Sequence, residues 1–417
     1  MHLKKIIFTA FVFIAVQQIT IGQNNTNSPY TRFGLGDVTE GTATELRGMG
    51  GVFLGNHSKN TINSSNPASY TSVDSLTFMF DIGVGARYSH FSDKTSSSNT
   101  FNANLEYITL RFPIAKWLGF SAGLLPYSFA GYNFNQSDSL EIPRNTPAED
   151  SYKVGYQQSF YGSGGFSQVY GGLSVGLFKH VSLGANVYYL FGNINNYRAL
   201  TFGSTTGFNS SVYTNQIKAS DLRFRYGLQF YNTFAKKHDI TIGLIYENRE
   251  KLNGDFKAIL NSDTLKNISG FELPQTLGAG ISYTFDKRLT IGIDYIRQNW
   301  SDALYFNKRD SLVNTSKFAF GAEYIPNPMS RTKYSDHICY RLGFSTSNQY
   351  YKLSNGYQPN DFRVSLGVGL PTRTGKTMLN FALEYGKVGS ATLLREDYLK
   401  LTFSASINEY WFFKPKL

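Results

Sequence analysis

Six ionisable residues share a placement that invites chemistry. Asp81, Arg87, Asp221, Arg223, Arg225 and Asp294 all fall on the polar parity of stretches that otherwise alternate apolar and polar. Carboxylates and guanidinium groups on one face of a sheet can do two things. Paired with each other or with a neighbouring segment they fasten it; left open, an arginine can receive a carboxylate head group through parallel hydrogen bonds. The spacing leaves both readings open. Catalysis has less support. His2, His57, His90, His180, His238 and His337 are scattered, and none stands at metal-ligand spacing from another histidine or from Cys339, the sole cysteine. No G-x-S-x-G elbow occurs, and Gly34-Leu35-Gly36 lacks the strand and helix that a dinucleotide fingerprint requires. No enzyme, metal site or cofactor is expected, and one cysteine cannot form an intramolecular disulfide.

The elements that would position these groups are strands. In "LTFMFDIGVGARY" the positions Leu76, Phe78, Phe80, Ile82, Val84, Ala86 and Tyr88 are apolar, while Asp81 and Arg87 lie between them. The same period recurs along the chain, for example at Leu183–Phe191, Leu222–Phe230, Leu289–Tyr295 and Leu399–Ile407. Short links near 113–117, 179–182, 235–239, 286–288, 326–333 and 372–376 alternate with longer polar ones near 90–100, 134–162, 194–216, 249–271, 300–314, 350–360 and 388–396. Six short and seven long links imply 14 strands with both ends on the short-turn side. An even strand number with long loops segregated to one end is the form of an antiparallel transmembrane β-barrel.

Composition agrees. Of 417 residues, 16% are aromatic and 17% charged, below the ~25% charged of an ordinary globular domain. Mean hydropathy is −0.27, unlike that of a bundle of membrane helices. The longest apolar run, Ile6–Val16, follows Lys4 and Lys5 and precedes Thr20-Ile21-Gly22, so residues 1–22 read as a signal peptide and Gln23 as the mature start. The formal charge of +11 then becomes +11 − 2 = +9. In an exported barrel that charge suits outer-membrane lipids and lipopolysaccharide head groups, and no nucleic-acid motif accompanies it. The stretch "NEYWFF" (408–413) places aromatics where an interfacial girdle belongs.

Residues 23–75 are not strand-like. They are rich in Gly, Asn and Ser, yet Met49, Val52, Phe53, Leu54 and Ile62 are too apolar for a solvated tail. A 14-stranded barrel leaves a lumen that its own side chains do not fill. The segment is therefore expected inside as a plug, with residues 76–417 forming the barrel.

Asn66-Pro67-Ala68, about 15 residues after "RGMGG" (47–51), together with "ELPQTLGAGISY" (272–283) and "DYIRQNWS" (294–301), resembles the FadL-like long-chain fatty-acid transporters, in particular those of the Bacteroidota. Ser69 stands where that family usually has Gly, and the hatch is Asn-rich rather than Ala-rich. The resemblance implies passive uptake of a hydrophobic small molecule such as a fatty acid, through an extracellular groove, a hatch-closed lumen and a gap in the wall. Asn66, Pro67 and Ala68 would form the corner joining hatch and wall. Pro126 in "LLPYS" would supply the gap, because proline offers no N–H to a neighbouring strand; a structural bulge is the other reading. The alternative function is a non-transporting subunit or shuttle in a larger outer-membrane complex for secretion or outer-membrane protein assembly, whose partners would be other outer-membrane proteins.

Overall fold

The computed structural model describes residues 26–142, 152–203, 207–268, 271–305, 308–309, 312–330, 332–353, 356–372, 377–390 and 392–410. A two-residue strand, β1 (Asp37–Val38), lies in the N-terminal segment. The first half of the wall comprises β2 (Thr77–Ser92), β3 (Ser97–Ala115), β4 (Leu118–Ile142), β5 (Tyr152–Leu177), β6 (Val181–Phe202), β7 (Ser211–Phe234) and β8 (His238–Glu247). Four short strands follow: β9 (Glu250–Leu252), β10 (Gly254–Leu260), β11 (Asp263–Ile268) and β12 (Phe271–Leu273). The wall resumes with β13 (Gln275–Phe285), β14 (Leu289–Asn299), β15 (Thr315–Tyr324), β16 (Cys339–Asn348), β17 (Asn360–Pro371), β18 (Thr377–Ser390) and β19 (Leu394–Tyr410). β8 pairs with β13, and β19 returns to β2 from Tyr410↔Thr77 to Arg395↔Ser92. The 14 wall strands, all antiparallel, close into a barrel.

Alternation assigns the two faces. On β6, Leu183, Val187, Tyr189 and Phe191 are exposed outward, while Ser182, Asn186, Tyr188 and Leu190 are buried inward. An apolar outer band over a polar interior suits a lipid surround, since closure leaves no unpaired strand edge facing lipid. The short turns use left-handed residue pairs, Phe178-Lys179, Ala235-Lys236 and Asp286-Lys287, all with positive φ. Two consecutive positive-φ residues match the twist of a two-residue hairpin.

The long-loop end differs from expectation. β4 and β5 stay paired up to Ile142↔Tyr152, and β6 and β7 up to Leu200↔Ser211, so much of the expected links 134–162 and 194–216 is strand. Polarity misled there because the outer face turns polar above the lipid band, as at Asn193 and Asn195, while the ladder continues. Within the link 249–271, β10 pairs onto β7 and carries β11 as a hairpin. One side of the barrel therefore rises well above the other, where β13–β17 have only 10 to 12 residues each. The expected signal peptide, Trp411-Phe412-Phe413 of the aromatic girdle and most of the link 372–376 lie outside the described residues.

Residues 26–75 run inside the wall. They contain one α-helical turn (Thr44–Arg47) and two 3-10 turns (Pro29–Arg32 and Pro67–Ser72), and most of their residues are buried. Chain direction within the lumen is clear from contacts. Ser28 meets Glu396 near the tall end, whereas the Ala68 carbonyl meets Ser174 and Ser182 near the short-turn end. No helix among the described residues is long and apolar enough to cross a membrane.

Candidate functional site

The lumen is built by short residues on the wall meeting backbone from the inner segment. A Cβ added at Gly243 of β8 would stand 1.8 Å from the Leu54 carbonyl oxygen, and one at Gly343 of β16 would stand 1.8 Å from the Gly50 amide nitrogen. Only glycine allows so close an approach of two backbones. The inner segment thus touches the wall backbone at two well-separated strands.

Polar bonds complete the fit. Asn66 caps the Pro67–Ser72 turn, its side-chain oxygen accepting from the Ala68 amide at 3.2 Å while its Nδ2 donates to the Leu54 carbonyl at 2.8 Å. Pro67 sits at the first turn position, where its missing N–H costs nothing. The Ala68 carbonyl accepts from Ser182 at 2.7 Å and Ser174 at 3.0 Å. These three residues therefore bring the segment against β5 and β6 and are buried throughout.

The ionisable residues divide. Asp294 accepts the Phe53 and Leu54 amides at 2.6 and 2.9 Å, holding the inner segment directly. Arg87 pairs with Glu396 at 2.6 Å and with Asp37 at 3.3 Å, and stacks over Tyr398. Arg223 pairs with Glu247 at 2.6 Å; Arg225 meets the same carboxylate and also donates to the Ser65 carbonyl at 3.1 Å. Asp81 is buried on the inner face of β2, and its carboxyl oxygens have no hydrogen-bond partner among the described residues. Asp221 does not reach the lumen cluster; it accepts the Asn253 amide at 2.9 Å and ties β7 to the β9–β10 connection.

Several partners escaped the sequence reading. Glu106 receives Arg47 at 2.8 Å and Lys400 at 2.7 Å; Glu384 and Asp361 receive Arg363; Glu323 receives Arg341. Glu247, Glu384 and Glu396 stand on the polar parity of their strands, so the rule that found Arg223 could have found them. Arg111, fully buried, instead donates to the Lys59 carbonyl at 2.6 Å and to Ser72 at 3.0 Å. In the inner segment, burial works to raise Glu40, but Lys317 and nearby cations outweigh it and hold the carboxyl below its usual range. Burial pushes Glu45 up despite Arg341.

Separate cavities of about 160, 70 and 40 Å³ lie around Asp37–Glu40. The largest is lined by Asp37, Glu40, Arg223, Glu247, Lys317 and Arg363, among others. A dry cavity of about 150 Å³ holds benzene only when its lining is apolar; this one is ringed by charge.

The wall parts at one seam. β3 pairs with β2 along its length, from Arg111↔Met79 to Ser97↔Ser92, but with β4 only from Ala115↔Leu118 to Ile108↔Leu124. Beyond Leu124, β4 turns inward, burying Leu125, Pro126, Tyr127 and Ser128. The edge so released is taken by β1, with Asp37↔Phe129 and Val38↔Ser128, and by Thr39, which bonds the Tyr127 and Pro126 carbonyls at 2.8 Å each. Pro126 stands at the parting, where the β4–β5 register also slips by one residue. No group of three or more His, Cys, Asp or Glu able to hold a metal occurs among the described residues.

The sequence model of one family, described as BamG, matches residues 2–417. No curated protein matches the chain. Among solved structures, the toluene transporter TbuX of Ralstonia pickettii superposes with a TM-score of 0.59 at 16% identity, over 88% of this chain and 98% of that one. The Pseudomonas putida toluene transporter TodX gives 0.56 at 15%, over 93% and 100%. A Pseudomonas aeruginosa FadL homologue gives 0.54 at 13%, over 89% and 98%. At such identities the likeness is one of fold, the barrel of hydrophobic-molecule transporters in the bacterial outer membrane.

Proposed function

The chain belongs to the BamG family, and from that premise we propose that this outer-membrane barrel is held shut by its N-terminal plug and serves as a subunit of a larger outer-membrane assembly, one that secretes or assembles outer-membrane proteins. The observation that carries this reading is the lumen. Plug backbone abuts wall glycines, and the remaining space is divided into small cavities ringed by Asp, Glu, Arg and Lys. A hydrophobic ligand site is ordinarily a mostly apolar cavity of roughly 300–1,000 Å³. The cavities around Asp37–Glu40 are smaller and charged, and a barrel so filled is still a rigid membrane platform.

One observation favours a second reading, passive uptake of a hydrophobic small molecule such as a fatty acid. The parted seam between β3 and β4 is covered from inside by the N-terminal segment, through β1, Thr39 and the Thr31 hydroxyl on Gly131, so a shift of that segment would leave a lateral path at Pro126. That reading needs the plug to move, whereas the first does not.

Mild purification from native outer membrane, followed by mass spectrometry of proteins and extracted lipids, tests both. The expected result is one or more outer-membrane proteins at fixed stoichiometry. A near-stoichiometric hydrophobe with no protein companion would overturn the subunit reading in favour of uptake.

A further inference from the structure

A second concavity lies at the tall end of the barrel, outside the packed lumen, and it has a different chemistry. It measures about 530 Å³, within the range of small-molecule sites. Four cations border it: Arg32 from the plug, Lys257 from β10, Lys308 from the segment after β14, and Lys352 from the segment after β16. All four are exposed, none forms an ion pair, and no Asp or Glu lines the cleft among the described residues.

Its floor is aromatic and rigid. Phe33 stacks on Tyr351 with centroids 4.8 Å apart and planes 15° apart. Phe256 packs on Phe271 at 5.7 Å, which meets Tyr305 edge-on at 5.2 Å. Arg32 lies over Phe33, Phe134 and Phe160 at 4.7, 5.8 and 5.7 Å, and no hydrogen-bond acceptor holds it among the described residues. Burial, together with the like charge of Arg198, keeps its guanidinium below the usual range against the opposing influence of Tyr132. In the lumen most such groups meet carboxylates; here cations from four separate parts of the chain border one open space.

We propose that this cleft binds, from the extracellular side, a small ring-bearing molecule with two or more acidic groups, the chemistry of a phosphorylated or otherwise acidic sugar. The aromatic floor supplies a flat apolar surface on which a ring can lie. The cations at the rim meet separate acidic groups around that ring. The cleft faces the inner side of the tall wall, away from the lipid-facing band, so the ligand arrives from the medium rather than from the membrane. This holds whether the barrel is a subunit or a channel.

The test uses the full-length protein in a neutral detergent and isothermal titration with four probes: sucrose octasulfate, sucrose, inorganic phosphate and laurate. Sucrose octasulfate should bind, and sucrose should not. Inorganic phosphate should bind at least roughly tenfold more weakly, because it cannot use the floor. A Lys257→Gln/Lys308→Gln/Lys352→Gln variant should lose roughly 10- to 100-fold in affinity for sucrose octasulfate. Replacing the same lysines by Arg should keep it. Unchanged binding by the triple variant would overturn the proposal, as would phosphate binding as tightly as the sulfated sugar, or no binding of the sulfated sugar at all. Laurate binding that competes with sucrose octasulfate and exceeds it would overturn it too, making the cleft an amphiphile site. All three lysines are exposed, and retained heat-modifiable gel mobility would confirm that the variants fold.

Discussion

The lumen and the mouth of this barrel hold the same kinds of side chain and treat them in opposite ways. In the lumen Arg47, Arg87, Arg223, Arg225, Lys317, Arg341, Arg363 and Lys400 each lie against a carboxylate. At the mouth Arg32, Lys257, Lys308 and Lys352 lie against none among the described residues. Solvation explains the contrast. A charge enclosed between plug and wall loses water and needs a partner with hydrogen bonds, whereas an exposed lysine at the rim keeps its hydration and tolerates a vacant neighbourhood, and Arg32, partly desolvated, rests on aromatic faces instead. Paired charges with glycine contacts mark a region built to stay as it is. Unpaired cations over aromatic rings mark one left available.

The strongest way to break that comparison is to unpair the lumen. Glu247→Ala leaves Arg223 and Arg225 enclosed without their carboxylate, and should cost about 3–5 kcal/mol, read as a lowered urea midpoint or heat-modifiability temperature. A cost within the range of surface substitutions would mean that the lumen is wet and its charges solvated. Next is the backbone contact. Gly343→Ala should cost about 1–3 kcal/mol by overpacking, and should expose the plug around Gly50 to added protease. Unaltered protease resistance would show that plug and wall are not in rigid contact.

A smaller effect comes from pH. His57, in the plug, donates from Nδ1 to the Gln229 side-chain oxygen at 2.8 Å and stacks on Tyr231. Burial, aided by the Arg111 charge and opposed by the Gln229 bond, holds its imidazole down to about 4. A depressed histidine favours folding while neutral. Its contribution is therefore complete above about 6.5 and is lost as pH falls from there towards about 4. Stability measured over that interval should decline, and His57→Gln should flatten the decline; an identical slope in the variant would remove His57 from the account. The smallest effect belongs to the mouth. The triple lysine-to-glutamine variant should change stability by no more than about 0.5 kcal/mol, since exposed charges contribute little to folding. A large loss there would mean that the rim cations are structural after all.

Much of the barrel was legible from residue order. Leu76–Tyr88 and the later alternations announce strands, and the alternation of short and long links counts them. Asp81, Arg87, Arg223, Arg225 and Asp294, on the polar parity of their strands, are buried or half-buried. Parity alone does not say which of them touch the inner segment; Asp294 does so, while Asp81 has no hydrogen-bond partner among the described residues. Asp221 obeys the same parity but lies above the packed region, where β7 meets the β9–β10 connection. Polar stretches such as 134–142 looked like loop because hydropathy records where lipid ends, and not where strand pairing ends. Pro126 was readable as a disturbance, but the departure of β4 from β3 over its whole upper half was not.

By itself, the sequence determined the strand faces, their number and the presence of a segment unlike them, because those features depend on a side-chain period of two and on link length, both local in the chain. Tertiary structure alone decided that Gly243 and Gly343 stand where plug backbone needs room, that Glu247 serves two arginines, and that Arg32, Lys257, Lys308 and Lys352 border one cleft. Each of those meetings joins residues far apart in sequence. Only the closure and register of the barrel set which of them come within a few ångströms.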